Sequence, residues 1–95
     1  MYSISISQLK LVMNSDNLID IRDIEKFNGS HIVGAHNIPM NKLIANSDKY
    51  LDVNKTYYIY CQKGLSSVKV VNLLRKVGYD VYNVIGGYER WMLDN

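Results

Sequence analysis

Polar and apolar residues alternate through Tyr2-Ser3-Ile4-Ser5, a period of two that predicts a short strand over Tyr2 to Ser5. Ser7 then resembles a helix N-cap, with Leu9, Leu11, Val12 and Met13 at helical spacing and an end near Asn14. Leu18-Ile19-Asp20-Ile21 reads as a second strand. It leads into one or two helical turns over Asp23-Ile24-Glu25-Lys26-Phe27, closed by Asn28-Gly29. The only proline, Pro39, holds Asn37-Ile38 extended and marks a boundary before a helix around Met40 to Ala45. Asp48 to Asn54 is expected as a polar connection. Thr56 to Tyr60 is the most continuous apolar strand, as expected of one buried on both faces of a parallel sheet. Ser67 to Val77 places Val70, Leu73, Leu74 and Val77 at helical spacing, and Gly78 supplies a C′ stop. Asp80 to Ile85 is a further strand, and Gly86-Gly87 leads to a terminal helix carrying Tyr88, Trp91 and Met92.

Strands alternating with helices imply an α/β fold with a mainly parallel sheet and right-handed crossovers. In such sheets the functional crevice lies at the carboxyl ends of the strands. The length of 95 residues, 47% of them hydrophobic, fits one core, so residues 1–95 are expected to form a single domain. The amino terminus has neither a basic leader nor a long apolar stretch, and no run approaches membrane-spanning length. The expectation is a soluble protein with no membrane partner. A single cysteine excludes an internal disulfide framework and fits a reducing compartment, the cytoplasm by default.

The net charge of +2 is too small to argue for nucleic acid, and no nucleic-acid partner is expected. Its distribution is uneven, because no Asp or Glu falls between Val53 and Tyr79 whereas Lys55, Lys63, Lys69, Arg75 and Lys76 do. Lys69 and Lys76 read as a solvated helix face. Lys63 differs in lying beside the cysteine, where it is placed to draw in an anion or to lower a thiol pKa.

That cysteine, Cys61, closes the strand Tyr57-Tyr58-Ile59-Tyr60 and precedes the loop Gln62-Lys63-Gly64-Leu65-Ser66. A lone cysteine also serves as small apolar filling. Its place between a strand end and a helix start argues for chemistry, since amides converge there and the helix amino terminus adds positive potential. Ser67 reads as the N-cap of the following helix, and the amides of Gln62 to Ser67 form a candidate cradle for an anionic sulfur.

His31 and His36 are the only candidates for a general base beside the thiol, and their place in the Gly29-to-Pro39 connection favours local hydrogen bonding instead. Together with Cys61 they are one ligand short of a zinc site, so no metal and no cofactor is expected. Asp20, Asp23 and Glu25 around Arg22 read as helix capping with a local ion pair. Alternation sends Tyr58 and Tyr60 to one face of their strand, for packing.

Three ordered motifs carry a resemblance. Leu18-Ile19-Asp20-Ile21-Arg22 with Phe27, His31-Ile32 and Gly34-Ala35-His36-Asn37-Ile38-Pro39 resembles the first signature of single-domain rhodaneses. Tyr60-Cys61-Gln62-Lys63-Gly64-Leu65-Ser66-Ser67 is similar to their active-site loop, and Gly86-Gly87-Tyr88-Glu89-Arg90-Trp91 resembles their terminal signature. The resemblance implies a three-layer α/β/α rhodanese-like fold. It further implies a sulfurtransferase or persulfide carrier, in which Cys61 takes sulfane sulfur from a small sulfur anion such as thiosulfate or from a protein persulfide. The sulfur then passes to a thiol or protein acceptor. Gln62, Lys63, Gly64, Leu65, Ser66 and Ser67 are the implied substrate-binding residues. Sulfur transfer needs a thiolate and a cradle of donors but no general base.

One position departs from the family pattern. Many relatives carry an arginine five residues after the cysteine, where a guanidinium holds an anionic donor bidentately, and this chain has Ser66. The loop is also shorter than that of the related cell-cycle phosphatases, so phosphatase activity is not expected. The alternative to an enzyme is a rhodanese-fold interaction or regulatory module with little turnover.

Overall fold

A computed structural model describes residues 2–94. Five strands form one sheet in the order β1-β5-β4-β2-β3, where β1 is Ser3–Ile4, β2 Leu18–Asp20, β3 His36–Asn37, β4 Thr56–Tyr60 and β5 Asp80–Val84. All its pairings are parallel, with Ile19 opposite Ile59 and Ile59 opposite Asn83 at the centre. The six helices among the described residues are α1 (Ile6–Val12), α2 (Ile24–Gly29), α3 (Met40–Ala45), α4 (Ser47–Tyr50), α5 (Ser66–Lys76) and α6 (Gly87–Leu93). None is long and apolar enough to cross a membrane.

Central position makes β4 apolar on both sides. Its period of two sends Tyr57 and Ile59 into a core shared with Leu43 of α3 and Val70, Val71 and Leu74 of α5. Tyr60 goes to the opposite core, with Ile6 and Leu9 of α1 and Tyr88 of α6, and Tyr58 packs against the same cluster. Helices therefore cover both faces of the sheet, which is the α/β/α layering expected. Ile59 and Leu9 are wholly buried, and removal of each such side chain from water contributes about 1.5–3 kcal/mol.

Local boundaries differ from the sequence reading where a side chain has a better partner. The cap of α1 is Ser5, not Ser7: Gln8 donates its N–H to Ser5 Oγ and accepts from Ser5 N through Oε1, a capping box. The Asp48-to-Asn54 connection begins with the turn of α4, anchored by buried Leu51. On α5 the inward stripe is Ser67, Val70, Val71 and Leu74, while Leu73 and Val77 are exposed, because the face is fixed by the i, i+3, i+4, i+7 set starting at Ser67. Gly78 follows α5 with φ +103°, a left-handed turn that lets the Tyr79 N–H reach Leu74 O at 3.1 Å.

The carboxyl ends of β2 and β4 are stitched by an ion pair inside the protein. Arg22 Nη2 lies 2.7 Å from Asp20 Oδ2, and both side chains are almost wholly buried. The Arg22 N–H also donates to Asp20 Oδ1 at 2.8 Å. The same guanidinium donates to Ser30 O at 2.7 Å and to Gln62 Oε1 at 3.1 Å, and its carbon stands 4.3 Å from the Tyr88 ring centre. One residue thereby binds α2's exit, the loop after β4 and α6. Asp23 stands at the cap position of α2 but makes no side-chain capping bond. Asp20→Ala leaves the guanidinium buried without its partner and is expected to destabilise the fold by about 3–5 kcal/mol in urea denaturation. Asp20→Leu with Arg22→Met, which removes both charges, should cost less than Asp20→Ala alone.

Candidate functional site

The order of strands reverses between β2 and β4: β2 is followed through α2 by β3 on one side, and β4 through α5 by β5 on the other. Loops leave that point in opposite directions, so a crevice opens there. A cleft of about 430 Å³ occupies it, bordered by Ile21 and Arg22 after β2 and by Cys61 and Gln62 after β4. Pro39 and Met40 form its far wall. A smaller recess of about 260 Å³ adjoins it, bordered by Lys63, Leu65 and Ser66.

Cys61 turns its sulfur into the loop. Sγ accepts from the Gly64 N–H at 3.2 Å and the Ser67 N–H at 3.4 Å, and lies 3.3 Å from Ser67 Oγ. A loop this tight needs left-handed backbone: Gly64 has φ +84°, and a Cβ there would stand 2.8 Å from Gly86 N. Gly87 has φ +60° and packs so closely that a Cβ would overlap Cys61 O. The first turn of α6 then takes up the loop's outward carbonyls, with Tyr88 N–H on Cys61 O at 2.9 Å and Glu89 N–H on Gln62 O at 3.0 Å. With those carbonyls held, the loop's amides are left to face the sulfur.

Burial by itself pushes the Cys61 thiol up. The Ser67 hydroxyl and amide, with the Gly64 and Lys63 amides, outweigh it and hold the pKa below the ordinary thiol value. Ser67 is itself wholly buried, and its hydroxyl also bonds the Asn83 side chain on β5. The sulfur is thus connected to the adjacent strand through one hydroxyl.

The profile of the rhodanese-like domain matches residues 5–94, nearly the whole chain and with it the strand, loop and Gly-Gly elements just described. The chain belongs to the rhodanese-like family. It is 38% identical over 84 residues to the thiosulfate sulfurtransferase GlpE of Coxiella burnetii, covering 86% of this chain and 78% of that one. It is 39% identical over 75 residues to the uncharacterized protein YqhL of Bacillus subtilis, of which it spans 59% of the length. Its fold superposes on the crystal structure of a rhodanese-like domain protein from Staphylococcus aureus with a TM-score of 0.82 and 33% identity, covering 96% of this chain and 91% of that one. Several relatives at this level of identity carry the name thiosulfate sulfurtransferase.

The candidate residues named from the sequence converge on the sulfur by different routes. Gly64 and Ser67 meet Cys61 directly, and Gln62 joins the loop to Arg22 on one side and to Glu89 Oε2 at 3.3 Å on the other. Lys63 lowers the thiol pKa through its amide, while its side chain is exposed at the rim of the smaller recess. Leu65 and Ser66 are exposed beside both the loop and the solvent. Ser67 is not the N-cap of α5, which starts at Ser66 behind Leu65 with no side-chain cap. Its hydroxyl is turned inward because the sulfur and Asn83 compete for it there. The histidines lie elsewhere: His31 Nδ1–H donates to Phe27 O at 2.8 Å with its ring stacked on Phe27, and His36 Nε2–H donates to Ser15 O.

Sequence reasoning passed over Asn83 and gave Arg22 only a local ion pair. The available signal was a polar residue at an inward register of an apolar strand, Asn83 within Val81-Tyr82-Asn83-Val84 and Asp20 within Leu18-Ile19-Asp20-Ile21. The depressed thiol predicts that alkylation by iodoacetamide rises with pH to a midpoint below that of a free thiol. Ser67→Ala removes the hydroxyl contact that lowers the thiol pKa and should move that midpoint upward, with circular dichroism unchanged. A thiol depressed only in the folded state stabilises the fold fully above the unfolded pKa and loses that contribution as pH falls through the folded one. The unfolding free energy of the wild type relative to Ser67→Ala should accordingly grow with pH across that window.

Proposed function

We propose that the chain is a sulfurtransferase or persulfide carrier in which Cys61 is the nucleophile. The observation that carries this reading is the set of polar partners around one sulfur, the Gly64 N–H and Ser67 N–H donating to it and the Ser67 hydroxyl in contact with it, at the floor of a cleft. With thiosulfate, the Cys61 thiolate attacks the outer sulfur and forms a sulfur–sulfur bond. The bond to the sulfonate sulfur breaks and sulfite leaves with its electron pair. A thiolate acceptor next attacks the outer sulfur of the Cys61 persulfide, becomes a persulfide itself and returns Cys61 to the thiolate. No proton transfer by a histidine is required. The terminal persulfide sulfur is an anion like the thiolate, and the loop amides of Gln62 to Ser67 that suit one suit the other. Donors of this class are small sulfur anions or protein persulfides, and acceptors are thiols or proteins. A free cysteine as the nucleophile fits a reducing compartment such as the cytoplasm, and residues 1–95 serve as one functional domain.

Ser66 favours a second reading, a rhodanese-fold interaction module with little turnover. It borders both recesses without a positive charge. Incubation with thiosulfate or a protein persulfide donor, free of reducing agent, should add one sulfur atom to Cys61, detected by intact mass, and Cys61→Ser should abolish the adduct. No adduct with either donor would leave the module reading in place. Ser66→Arg should raise thiosulfate turnover several-fold by restoring a bidentate fork to the rim. No gain in that variant would point to a protein donor.

A further inference from the structure

Ser67 has one hydroxyl proton and two neighbours able to accept it. Its Oγ lies 3.3 Å from Cys61 Sγ and donates to Asn83 Oδ1. Ser67 is wholly buried and Asn83 nearly so, and among the described residues the hydroxyl has no third partner. A buried donor left unmet is costly, so the O–H must point to one of the two at every stage. The charge on the sulfur decides which. A thiol gives its own proton to Ser67 Oγ and leaves the O–H to Asn83, whereas a thiolate can only accept, and a charge-assisted bond is the stronger of the two.

The Asn83 amide is built into the sheet in a way that suits this exchange. It stands opposite Ser3 of β1 and Ile59 of β4, and its backbone N–H is held by Tyr2 O at 2.8 Å. Nδ2 is directed to Ser3 Oγ at 3.5 Å, which leaves Oδ1 for Ser67. Asn83 shares a strand face with Val81, in the core that contains Cys61, Val70 and Val71. Tyr82 lies on the other face against Tyr58, and Asp80 is engaged with Arg75 and Thr56, so no ionisable group of β5 reaches the hydroxyl. The charged groups that share recesses with the thiol are Arg22, Asp23, Lys26, Lys42 and Lys63. Tyr88 and Glu89 of α6 meet the loop from behind. Substitution at Asn83 changes none of them.

We propose that Asn83 is a positioning residue for sulfur transfer, its side-chain oxygen holding the Ser67 O–H while Cys61 Sγ is neutral and yielding it as negative charge develops there. The transfer step rests on the sulfur-transfer reading above, whereas the competition for the hydroxyl does not. In a Cys61 persulfide the inner sulfur is bonded to carbon and to the outer sulfur and carries little charge. An acceptor attacks the outer sulfur, the sulfur–sulfur bond breaks, and Sγ leaves with the electron pair. The O–H swings from Asn83 to Sγ during that step, with no proton leaving Ser67. The hydrogen bond is therefore gained as the charge forms and not before it.

The thiol midpoint, followed by iodoacetamide alkylation against pH, tests the competition without any sulfur donor. Asn83→Leu removes the rival acceptor and adds no charge. It is expected to lower the midpoint by about 0.5–1 on the pH scale, the worth of one hydrogen bond, where Ser67→Ala raises it. The double variant should match Ser67→Ala alone, because Asn83 acts only through the hydroxyl. A midpoint unchanged or raised in Asn83→Leu overturns the proposal, as does a fall that persists in the Ser67→Ala background. If circular dichroism shows Asn83→Leu unfolded, Asn83→Asp keeps the shape and decides. A carboxylate grips the O–H harder and should raise the midpoint, by less when Ser67 is Ala, and an equal rise in both backgrounds is the contrary result. For the transfer step, enzyme loaded with one sulfur is mixed with cyanide, which forms a carbon–sulfur bond to the outer sulfur and departs as thiocyanate. A better leaving thiolate should make Asn83→Leu about two- to threefold faster. An unchanged rate beside a lowered midpoint refutes the swing during transfer. If the midpoints move as expected and no donor loads Cys61, the hydroxyl competition stands and the sulfur-transfer reading falls.

Discussion

The buried pair of Asp20 and Arg22 is the constraint on which the functional end of the sheet depends. Two charges without water are costly to keep, and a pair of this kind stays folded only when its remaining donors are met. Here they are: the guanidinium is divided among Asp20, Ser30 O, Gln62 Oε1 and the face of Tyr88. The partners range from two residues away at Asp20 to 40 at Gln62, and the strands at this edge of the sheet are short. β2 has three residues and β3 two. A buried cation with fixed partners supplies the register that such short strands cannot.

The sulfur site is built mainly from main chain. Gly64 and Gly87 let the loop and the start of α6 come into backbone contact, and α6 captures the carbonyls that would otherwise oppose an anion. Side-chain identity at Lys63 is therefore loosely constrained by the cradle itself, since its amide serves the sulfur whatever it carries. Ser67 is the exception, because both its amide and its hydroxyl reach Sγ. Its hydroxyl is shared with Asn83, so β5 is coupled to the thiol through that one group.

Much of this architecture was legible in the chain. The alternation of strands and helices, the two-sided apolar run at Thr56 to Tyr60 and the strand-end cysteine came through because each rests on local periodicity. What was not legible depends on contacts between segments. Ser67 has the composition of a helix cap, and only the approach of Asn83 and Cys61 shows why it faces inward. Leu73 and Val77 are as apolar as Val71, and only the packing of α5 against β4 and β5 decides which of them is buried. Ser7 reads as a cap along the sequence because strand and helix patterns overlap over Ser3 to Ser7, where the reciprocal bond of Ser5 with Gln8 settles the boundary.

The same distinction bears on Ser66. Along the sequence, an arginine missing from a loop reads as a missing charge, because the loop is the only neighbour that sequence supplies. In space the opening of the thiol has two banks, and the β2 bank carries Lys26. The cradle and the charge answer to different physical demands. The first must be rigid and short-ranged, since hydrogen bonds to sulfur fail within a fraction of an ångström. The second acts through water over a Debye length of about 8 Å at physiological salt, and tolerates a flexible stem on a separate helix. A positive charge near the thiol can therefore sit on a different element from the loop while the cradle remains fixed around Cys61.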